Sequence, residues 1–313
     1  MTRPPLGFLN DELSARAAAL NDGVIYPDGR YVLIWLQQTL RGDDHPAIDA
    51  GVQIANELGL PALVYHGLRE DYPYASDRLH YFILGASREM GKSLRMRGIA
   101  CVQHVVRPSR IEKGLVYRLA DVAACVVTDA HATFVGKWQA ERFAAKSERA
   151  VLAIDATRLV PHKLLPAGLG ATKAFRAAHG PLRDQCLAAR VQIEPQYAPY
   201  DGPLPFEPDR LADMDNRQIA ILVTACRIDH TLPISDEHPA TRDKVEERIA
   251  ALTETIISRY GWTRNNPAQA GAGSKLSPYL HFGMTSPFEI MRAIKKAGVS
   301  RSARYKFVDE LLT

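Results

Sequence analysis

The sequence has few cysteines, and none of them form a pair at metal-binding spacing. The four cysteines, Cys101, Cys125, Cys186 and Cys226, stand singly along 313 residues. Structural zinc sites draw on cysteines about two to four residues apart. Cys101 and Cys125 lie inside apolar runs, where cysteine serves as a small buried hydrophobe. We therefore expect no metal centre.

Long apolar runs are also absent. No stretch approaches the roughly 20 apolar residues that cross a bilayer, and residues 1–13 lack the unbroken apolar segment of a secretion signal. The formal net charge of +4 excludes a histone-like tail protein. With 46% hydrophobic and 24% charged residues, the chain can bury a core. We expect a globular cytoplasmic protein with no membrane partner, and the length favours two domains.

Two glycine-rich phosphate motifs are missing as well. No Gly-x-Gly-x-x-Gly follows the first predicted strand, and no Gly-x-x-x-x-Gly-Lys-Ser/Thr occurs anywhere. Both motifs bring backbone amides close to phosphates. The sequence therefore predicts neither a dinucleotide-dependent dehydrogenase nor a P-loop enzyme.

From residue 31 to about residue 155, short apolar runs alternate with longer amphipathic stretches. This alternation predicts an α/β fold with a parallel, Rossmann-like sheet. Ser76 is predicted to begin a helix with one apolar stripe. Ligands of such sheets bind where the strands end. The predicted strands are residues 31–36, 61–65, 99–102, 124–128 and 150–154, and the polar residues at their ends are Gln37, Arg41, His66 and Asp129.

A proline-rich segment follows the last predicted strand. Prolines are dense between residues 194 and 208, where they remove amide donors and favour an extended connection. From residue 241, apolar residues advance by three or four and predict helices, with Gly261 as a C-terminal cap. The predicted segments are an N-terminal extension (residues 1–29), an α/β domain (30–160), a proline-rich linker (161–237) and the beginning of an all-helical domain (238–313).

Residues 260–290 contain two predicted helix starts in close succession. Ser277 begins one, with proline at the next position, and Ser286 begins the other as part of a capping box. A helix start leaves backbone N–H groups unpaired and carries about half a positive charge, so it attracts phosphate. The groups that fit a diphosphate here are Ser274, Lys275 and Ser277, with Gly271 and Gly273 allowing a close approach.

The most distinctive segment of the chain is Leu276-Ser-Pro-Tyr-Leu-His-Phe-Gly, which is preceded by Tyr260 and by Arg264-Asn-Asn-Pro. It resembles the flavin-phosphate segment of the photolyase and cryptochrome family, and most closely that of class II cyclobutane pyrimidine dimer photolyases. The resemblance covers most of residues 31–313. Supporting pieces occur upstream in family order: Arg41, Asp44 and Ala47, then Asp71-Tyr-Pro-x-Ala with Arg78 and Phe82, then Val126-Val-Thr-Asp and Trp138.

The resemblance implies an N-terminal α/β domain, which in some members holds an antenna chromophore, and a helical FAD-binding domain. It implies light-dependent splitting of pyrimidine dimers in UV-damaged DNA, with one electron supplied by reduced FAD. Glu310, in Phe307-Val-Asp-Glu-Leu-Leu, resembles the acidic residue that reaches the dimer. The residues implied to hold the FAD diphosphate are Tyr260, Ser274, Lys275, Leu276 and Ser277.

A basic stretch near the end of the chain fits the same interpretation. Between residues 286 and 313, six basic side chains outnumber three acidic ones, which predicts a surface for DNA phosphates. The basic residues are Arg292, Lys295, Lys296, Arg301, Arg304 and Lys306, and the acidic ones are Glu289, Asp309 and Glu310.

The sequence also departs from the family pattern. His45 stands where the family usually has asparagine, and Ala130-His-Ala-Thr replaces a more basic loop, which counts against an antenna of the deazaflavin or folate type. The chain stops soon after Glu310, so we expect much of the helical domain to be missing. Three hypotheses remain: a photolyase-like enzyme, a cryptochrome-like sensor or non-catalytic flavin-binding remnant, and a nucleotide-binding α/β protein with an unrelated helical appendage.

Overall fold

Two compact units make up the computed structural model, which describes residues 5–312. The α/β unit comprises residues 5–156 and Gln192–Ala240, and the helical unit comprises Thr157–Val191 and residues 241–312. Within the described part, none of the helices has the length and apolar character needed to cross a membrane.

One six-stranded sheet forms the centre of the α/β unit. Its order is β1-β6-β5-β2-β3-β4, with β1 antiparallel to β6 and every other neighbouring pair parallel. The five predicted parallel strands and the α/β fold are therefore confirmed. The short antiparallel β1 was not predicted, because three alanines carry no strand preference. The strands are β1 (Ala17–Ala19), β2 (Val32–Leu36), β3 (Ala62–Leu68), β4 (Ala100–Val105), β5 (Val126–Asp129) and β6 (Val151–Ile154).

Helices cover the sheet and build the second unit. Strand β2 is buried at all five of its residues, as expected for a central parallel strand covered on both faces. The helices are α1 (Asp11–Arg16), α2 (Pro46–Leu58), α3 (Asp77–Met96), α4 (Leu115–Ala120), α5 (Phe134–Ala144), α6 (Thr172–Ala189), α7 (Asn216–Thr224), α8 (Arg242–Ala251), α9 (Tyr260–Thr263), α10 (Ser277–His281), α11 (Pro287–Lys296) and α12 (Arg301–Leu312).

Helix α3 follows the sequence prediction closely. It begins directly after Ser76, although the side chain of Ser76 makes no capping hydrogen bond. Phe82, Ile83, Met90 and Leu94 are buried, so the predicted apolar stripe faces the core of the α/β unit.

The stretch predicted as a linker is divided between the two units. Residues 192–240 belong to the α/β unit, where the amide of Asp209 donates to the carbonyl of Gln103 in β4 at 2.8 Å. An extended, proline-rich segment thereby covers the edge of the sheet. Residues 157–191 belong to the helical unit and contain α6, which was not predicted because Pro181 lies inside it.

Helical structure continues beyond the end of α8. A π-helical turn, Leu252–Ile256, follows α8, and Val245, Ile249, Leu252 and Ile256 are buried at the predicted spacing. Gly261 lies inside α9, so its prediction as a C-terminal cap is wrong. Residues 257–259 form a turn instead, and the short helix α9 begins at Tyr260.

The two predicted helix starts are present with modified caps. Helix α10 begins at Ser277 itself, with Leu276 in the capping position. At α11, Ser286 Oγ accepts a hydrogen bond of 3.1 Å from the amide of Glu289. The Glu289 carboxylate binds Arg242 and accepts a bond of 2.7 Å from Thr285 Oγ1. The capping interaction of Ser286 is therefore formed, while Glu289 joins α11 to α8.

Candidate functional site

Tyr260 and Glu310, singled out separately in the sequence, are direct neighbours in the helical unit. The phenol of Tyr260 donates to Glu310 Oε2 at 2.8 Å, and Arg264 Nε donates to Glu310 Oε1 at 2.7 Å. Lys306, one helical turn before Glu310, lies 3.0 Å from the same carboxylate. The ring of Tyr260 also packs edge-on against Phe307, with 5.2 Å between ring centroids. Helices α9 and α12 are thus joined through Glu310.

These contacts shift the pKa values of Tyr260 and Glu310. Burial raises the pKa of Tyr260 to about 12, and the hydrogen bond to Glu310 adds to the effect. Partial burial acts to raise the pKa of Glu310, but the bonds from Lys306, Tyr260 and Arg264 outweigh it and hold that pKa below its usual range. At neutral pH, Glu310 is therefore an ionised carboxylate and Tyr260 a neutral donor.

The other four predicted diphosphate residues, Ser274, Lys275, Leu276 and Ser277, form a second group that is consecutive in sequence. Leu276 is 1% exposed and anchors the segment, while Lys275 and Ser277 are exposed on either side of it. Lys275 adopts a left-handed backbone, with φ 53°, so the chain turns sharply just before α10. Ser274 Oγ accepts a bond of 3.4 Å from the amide of Leu276. Two hydroxyls and one ammonium are the chemistry that a diphosphate requires.

The glycine-rich loop before this group leaves room beside its backbone. A Cβ atom built on Gly271 or Gly273 would meet no other atom within 4 Å. Gly271 has φ 72°, a conformation that residues with side chains rarely adopt. A phosphate can therefore approach this backbone closely. Among the predicted site residues, one hydrogen bond joins Tyr260 to Glu310 and another joins the amide of Leu276 to Ser274.

Ion pairs engage part of the predicted basic surface. Lys295 lies 2.6 Å from Asp184, and Lys306 pairs with Glu310. The acidic residue Asp309 is 6% exposed and receives two bonds, of 2.7 and 2.6 Å, from Arg176 in α6. Exposed basic residues that extend the surface are Arg292, Lys296 and Arg301.

A cavity of about 330 Å³ lies at the carboxyl ends of β2, β3 and β4, beneath α4 and α5 of the α/β unit. Its aromatic wall holds Trp35 and Tyr65 from the sheet and Phe143 from α5, all less than 9% exposed. Tyr117, on α4, packs against Phe143 with 5.0 Å between ring centroids. This is the edge of the sheet where ligands of parallel α/β folds bind.

The cavity mouth carries several charges. Asp71 accepts two bonds of 2.7 Å from Arg69 and one of 2.8 Å from Lys113, which connects the loop after β3 to the loop before α4. These hydrogen bonds hold the pKa of Asp71 well below its usual range. Arg142 and Lys146 border the cavity from the side of α5.

Two polar side chains in the cavity lining have unusual bonding. His104 is 2% exposed, and neither ring nitrogen has a hydrogen-bond partner among the described residues. Burial is the main cause that lowers the pKa of His104, although Asp209 and Glu112 partly oppose it. Gln37 Nε2 donates to Thr128 Oγ1 at 3.3 Å, whereas its buried Oε1 has no partner in the described part of the chain.

Of the four polar strand-end residues noted in the sequence, only Gln37 lines this cavity. Asp129 accepts bonds from the amides of Gln37, Gln38 and Thr39, so it shapes the turn after β2. His66 is bonded to Ser87 at 2.9 Å inside the core. Arg41 donates to the carbonyls of Asp44 and Ala156. Sequence reasoning missed Tyr65, His104 and Phe143, because an aromatic residue in an apolar run has the pattern of an ordinary core residue.

The described residues contain no cluster of side chains that could bind a metal ion. Over residues 5–312, no group of three or more His, Cys, Asp or Glu side chains is placed to hold a metal ion. The described cysteines are not in disulfides. Burial raises the pKa of Cys101 and of Cys125 to about 12, so neither is a thiolate at neutral pH.

Comparison with known proteins finds no matching family model. In sequence, the chain is 26% identical over 291 residues to the deoxyribodipyrimidine photo-lyase of Methanothermobacter thermautotrophicus. The match covers 91% of this chain and 59% of that protein. The chain therefore spans less than two thirds of the relative it matches.

Solved structures share its fold. A class III photolyase from Agrobacterium tumefaciens has a TM-score of 0.63 at 17% identity, covering 91% of this chain and 57% of that one. A cryptochrome from Synechocystis sp. has the same TM-score and identity over 90% and 59%. An archaeal photolyase from Sulfolobus tokodaii, solved with two FAD molecules, has a TM-score of 0.53 at 16% identity over 90% and 57%.

Proposed function

We propose, from the confirmed resemblance of this chain to the photolyase and cryptochrome family, that it acts in light-dependent repair of cyclobutane pyrimidine dimers in DNA. The observation that carries the proposal is the sequence likeness to a deoxyribodipyrimidine photo-lyase, which extends over 91% of the chain. The fold of photolyases and a cryptochrome, shared over about nine tenths of the chain, supports it. The closer relationship to class II enzymes remains a sequence-based prediction.

The helical unit is proposed to hold FAD by its diphosphate. Ser274 and Ser277 would donate hydroxyl hydrogen bonds, Lys275 would supply the positive charge, and the backbone at Leu276 would turn amides toward the phosphates. Bound FAD supplies light-driven electron transfer, which no side chain can provide. The exposure of Lys275 and Ser277 and the open backbone at Gly273 fit this role.

Glu310 is proposed to orient the pyrimidine dimer. Its low pKa makes it an acceptor, so it would receive a hydrogen bond from a ring N–H of a flipped pyrimidine. Tyr260 and Arg264 hold both carboxylate oxygens, which fixes the direction of the remaining lone pairs. The carboxylate thus enters the complex already oriented, and little conformational entropy is lost on binding.

The proposal is tested first by the flavin content of the purified chain. The chain is mixed with FAD, separated from unbound FAD by gel filtration, and its visible absorption spectrum is recorded. We expect flavin bands to persist and Ser277→Ala to weaken FAD retention about tenfold, as expected for one lost phosphate contact. Ser302→Ala, an exposed serine on α12, is the matched control and should leave retention unchanged. A colourless wild-type chain would contradict the FAD site.

Repair itself requires a second measurement. The FAD-loaded chain is illuminated with a thymine-dimer oligonucleotide, and restored thymine is quantified. Glu310→Gln should lower the repair yield while FAD stays bound. An undiminished yield would remove Glu310 from the mechanism.

A light-sensing role is the second candidate, because the cryptochrome matches this fold with the same TM-score as the class III photolyase. In that case, flavin would be retained and would respond to blue light, but dimers would remain intact. The repair assay therefore separates the two functions.

A second chromophore belongs to the same proposal. The resemblance implies an antenna of the deazaflavin or folate type in some members, and the cavity beneath α4 and α5 offers aromatic walls that suit a flat ring system. Although His45 and residues 130–133 depart from the family pattern, we propose this cavity as the place for such a group.

A further inference from the structure

Residues 226–233 are fastened to the start of helix α3 by two backbone hydrogen bonds. The amide of Asp77 donates to the carbonyl of Asp229 at 3.1 Å, and the amide of Asp229 donates to the carbonyl of Ala75 at 2.9 Å. The side chain of Ser76 makes no capping bond, so the Asp229 carbonyl satisfies one of the free amides that a helix start leaves. The 226–233 segment therefore forms part of the cap of α3.

The chain on either side of this segment is packed against α3. Helix α7, which precedes the segment, packs on α3 within the α/β unit. Ala240, which follows it, is 3% exposed and lies directly over Gly85, where an added Cβ would come within 2.8 Å of the Ala240 side chain. The 226–233 segment can therefore open as a local loop while its neighbours stay in place.

His230 holds this segment through both of its ring nitrogens. Nδ1 lies 2.7 Å from Asp77 Oδ1, and Nε2 lies 3.1 Å from the carbonyl of Cys226. A carboxylate oxygen and a carbonyl oxygen accept hydrogen bonds, so each nitrogen must carry a proton for both bonds to form. Asp77 is the first residue of α3, where the helix N-terminus favours a negative charge. The geometry thus identifies His230 as an imidazolium cation paired with Asp77.

Loss of one proton from His230 breaks this arrangement. A neutral imidazole has a single N–H, so one of the two contacts then joins two acceptors. The attraction between the positive ring and the Asp77 carboxylate is lost at the same time. The side chain of His230 is 44% exposed and that of Asp77 is 22% exposed, so the effect is that of a partly exposed ion pair.

We infer that His230 and Asp77 form a pH-sensitive clasp, which holds residues 226–233 on the start of α3 while His230 is protonated and releases them when it is neutral. The hydrogen bond to Asp77 raises the pKa of His230 above its usual value, against a smaller opposing effect of burial. In the unfolded chain, histidine titrates near pH 6.5. The stabilisation is therefore fully present below about pH 6.5 and is lost as the pH rises through the higher value of the folded chain.

Four groups near His230 change their protonation outside the range from pH 6.5 to 9. Burial lowers the pKa of His80 to about 4, and it raises the pKa of Tyr72 and that of Cys226, the latter to about 11. Hydrogen bonds from Thr231 lower the pKa of Asp229. The charged and titratable groups around the clasp are Asp77, Arg78 and His80 from α3, Glu70 and Tyr72 from the loop before α3, and Cys226, Arg227 and Asp229 from the segment itself. A response between pH 6.5 and 9 therefore reports on His230.

Hydrogen exchange at single amides tests the clasp, because two backbone amides take part in it. We expect the protection factors of the Asp77 and Asp229 amides to fall about threefold between pH 6 and pH 9, the size expected for a partly exposed ion pair. The Tyr26 amide, which donates to the carbonyl of Ala124, is the internal control and should keep its protection factor. An NMR titration of the full chain should give His230 a pKa above 6.5.

Two variants assign the response to the clasp. His230→Gln carries no group that titrates in this range, so the protection factors of the Asp77 and Asp229 amides should no longer depend on pH. Asp77→Asn removes the negative charge, so it should lower the pKa of His230 and also abolish the pH response. His131→Gln, at a partly exposed histidine after β5, is the matched control. Thermal unfolding checks that each variant is folded.

The outcomes decide between the clasp and an ordinary surface contact. A loss of protection that is confined to the Asp77 and Asp229 amides and disappears in both variants would support the inference. Protection factors that do not change with pH in the wild type would overturn it. So would a response that persists in His230→Gln, or a measured pKa of His230 at or below 6.5.

Discussion

Tyr260 donates a hydrogen bond of 2.8 Å to Glu310, although fifty positions separate the two residues in the sequence. The phenol meets a carboxylate that Arg264 and Lys306 also bind. Tyr260, which the family resemblance implies for FAD binding, and Glu310, which is proposed to orient the dimer, are thereby coupled through one hydrogen bond. A change at either one should be detectable at the other.

Replacing Tyr260 by phenylalanine tests this coupling. The variant keeps the ring contact with Phe307 and loses only the bond to Glu310, so the free energy of unfolding should fall by about 1 kcal/mol. The value is below the usual range for hydrogen bonds to charged groups because Glu310 is exposed to solvent. Urea unfolding followed by circular dichroism measures it. Tyr305→Phe, at an exposed tyrosine on α12, is the control; equal losses in the two variants would contradict the coupling.

The sequence predicts regular elements well where the hydrophobic period is complete. Strands β2 to β6 and helix α3 were found because their apolar residues are continuous or recur at one spacing. Strand β1 and helix α6 were missed because alanine has little strand preference and Pro181 interrupts the helical pattern. Their formation depends on contacts that are distant in sequence, such as the pairing of Ala17 with Ile154.

Site geometry is harder to predict because it depends on which distant side chains meet. The family resemblance pointed to Tyr260 and to Glu310 separately. The hydrogen bond between them was not predicted and is seen only in the structure. His104 carries no local signal at all, since its environment comes from a loop, a neighbouring strand and residues 192–240. The chemistry of a buried residue at a strand end therefore depends on neighbours that are distant in sequence.

Asp309 should be a major stabilising residue of the helical unit. It is 6% exposed and receives two bonds from Arg176, so Asp309→Asn weakens a buried pair and should lower the free energy of unfolding by about 2 kcal/mol. The figure is below the full range for buried pairs because Arg176 is 44% exposed. Urea titration of the full chain measures it. Lys295→Ala, which breaks an exposed pair with Asp184, should cost less than about 0.5 kcal/mol. A reversed order would be inconsistent with the burial argument.

Mild acid should destabilise the α/β unit through buried histidines. Burial lowers the pKa of His66 to about 4, and the same cause lowers that of His80 to about 4. In the unfolded chain, histidine titrates near pH 6.5. The unfolded state then binds more protons, so stability is fully present above about pH 6.5 and is lost as the pH falls toward 4. Urea unfolding between pH 7 and pH 4.5 should show the decrease.

A histidine variant identifies the source of that decrease. His66→Gln removes one titrating group while keeping a polar side chain near Ser87, so its unfolding free energy should depend less steeply on pH than that of the wild type. His131→Gln, at a partly exposed histidine after β5, is the matched control. Parallel curves for the wild type and His66→Gln would mean that other groups cause the acid effect.

His45, the residue where the family usually has asparagine, should be replaceable by asparagine at small cost and by alanine at larger cost. Its Nδ1 accepts bonds from the amides of Ala47 and Ile48 at 3.2 and 3.4 Å, so it caps α2. Since Nδ1 accepts, Nε2 carries the proton and donates to Thr39, 2.8 Å away at Oγ1. Asn is a strong capping residue, so His45→Asn keeps the cap and loses the bond to Thr39.

The expected losses in the free energy of unfolding follow from these two roles of His45, the cap of α2 and the bond to Thr39. His45→Asn should lower the free energy of unfolding by about 1 kcal/mol, the value of one neutral hydrogen bond. His45→Ala loses the cap as well and leaves a cavity in a site that is 0% exposed, so its loss should reach about 3 kcal/mol. The two variants differ mainly in the cap, and urea unfolding resolves the difference. Equal losses would mean that the bond from His45 to Thr39 stabilises this turn more than the cap does. Thr39 Oγ1 in turn donates to Asp129 at 2.7 Å, so the two bonds would act together.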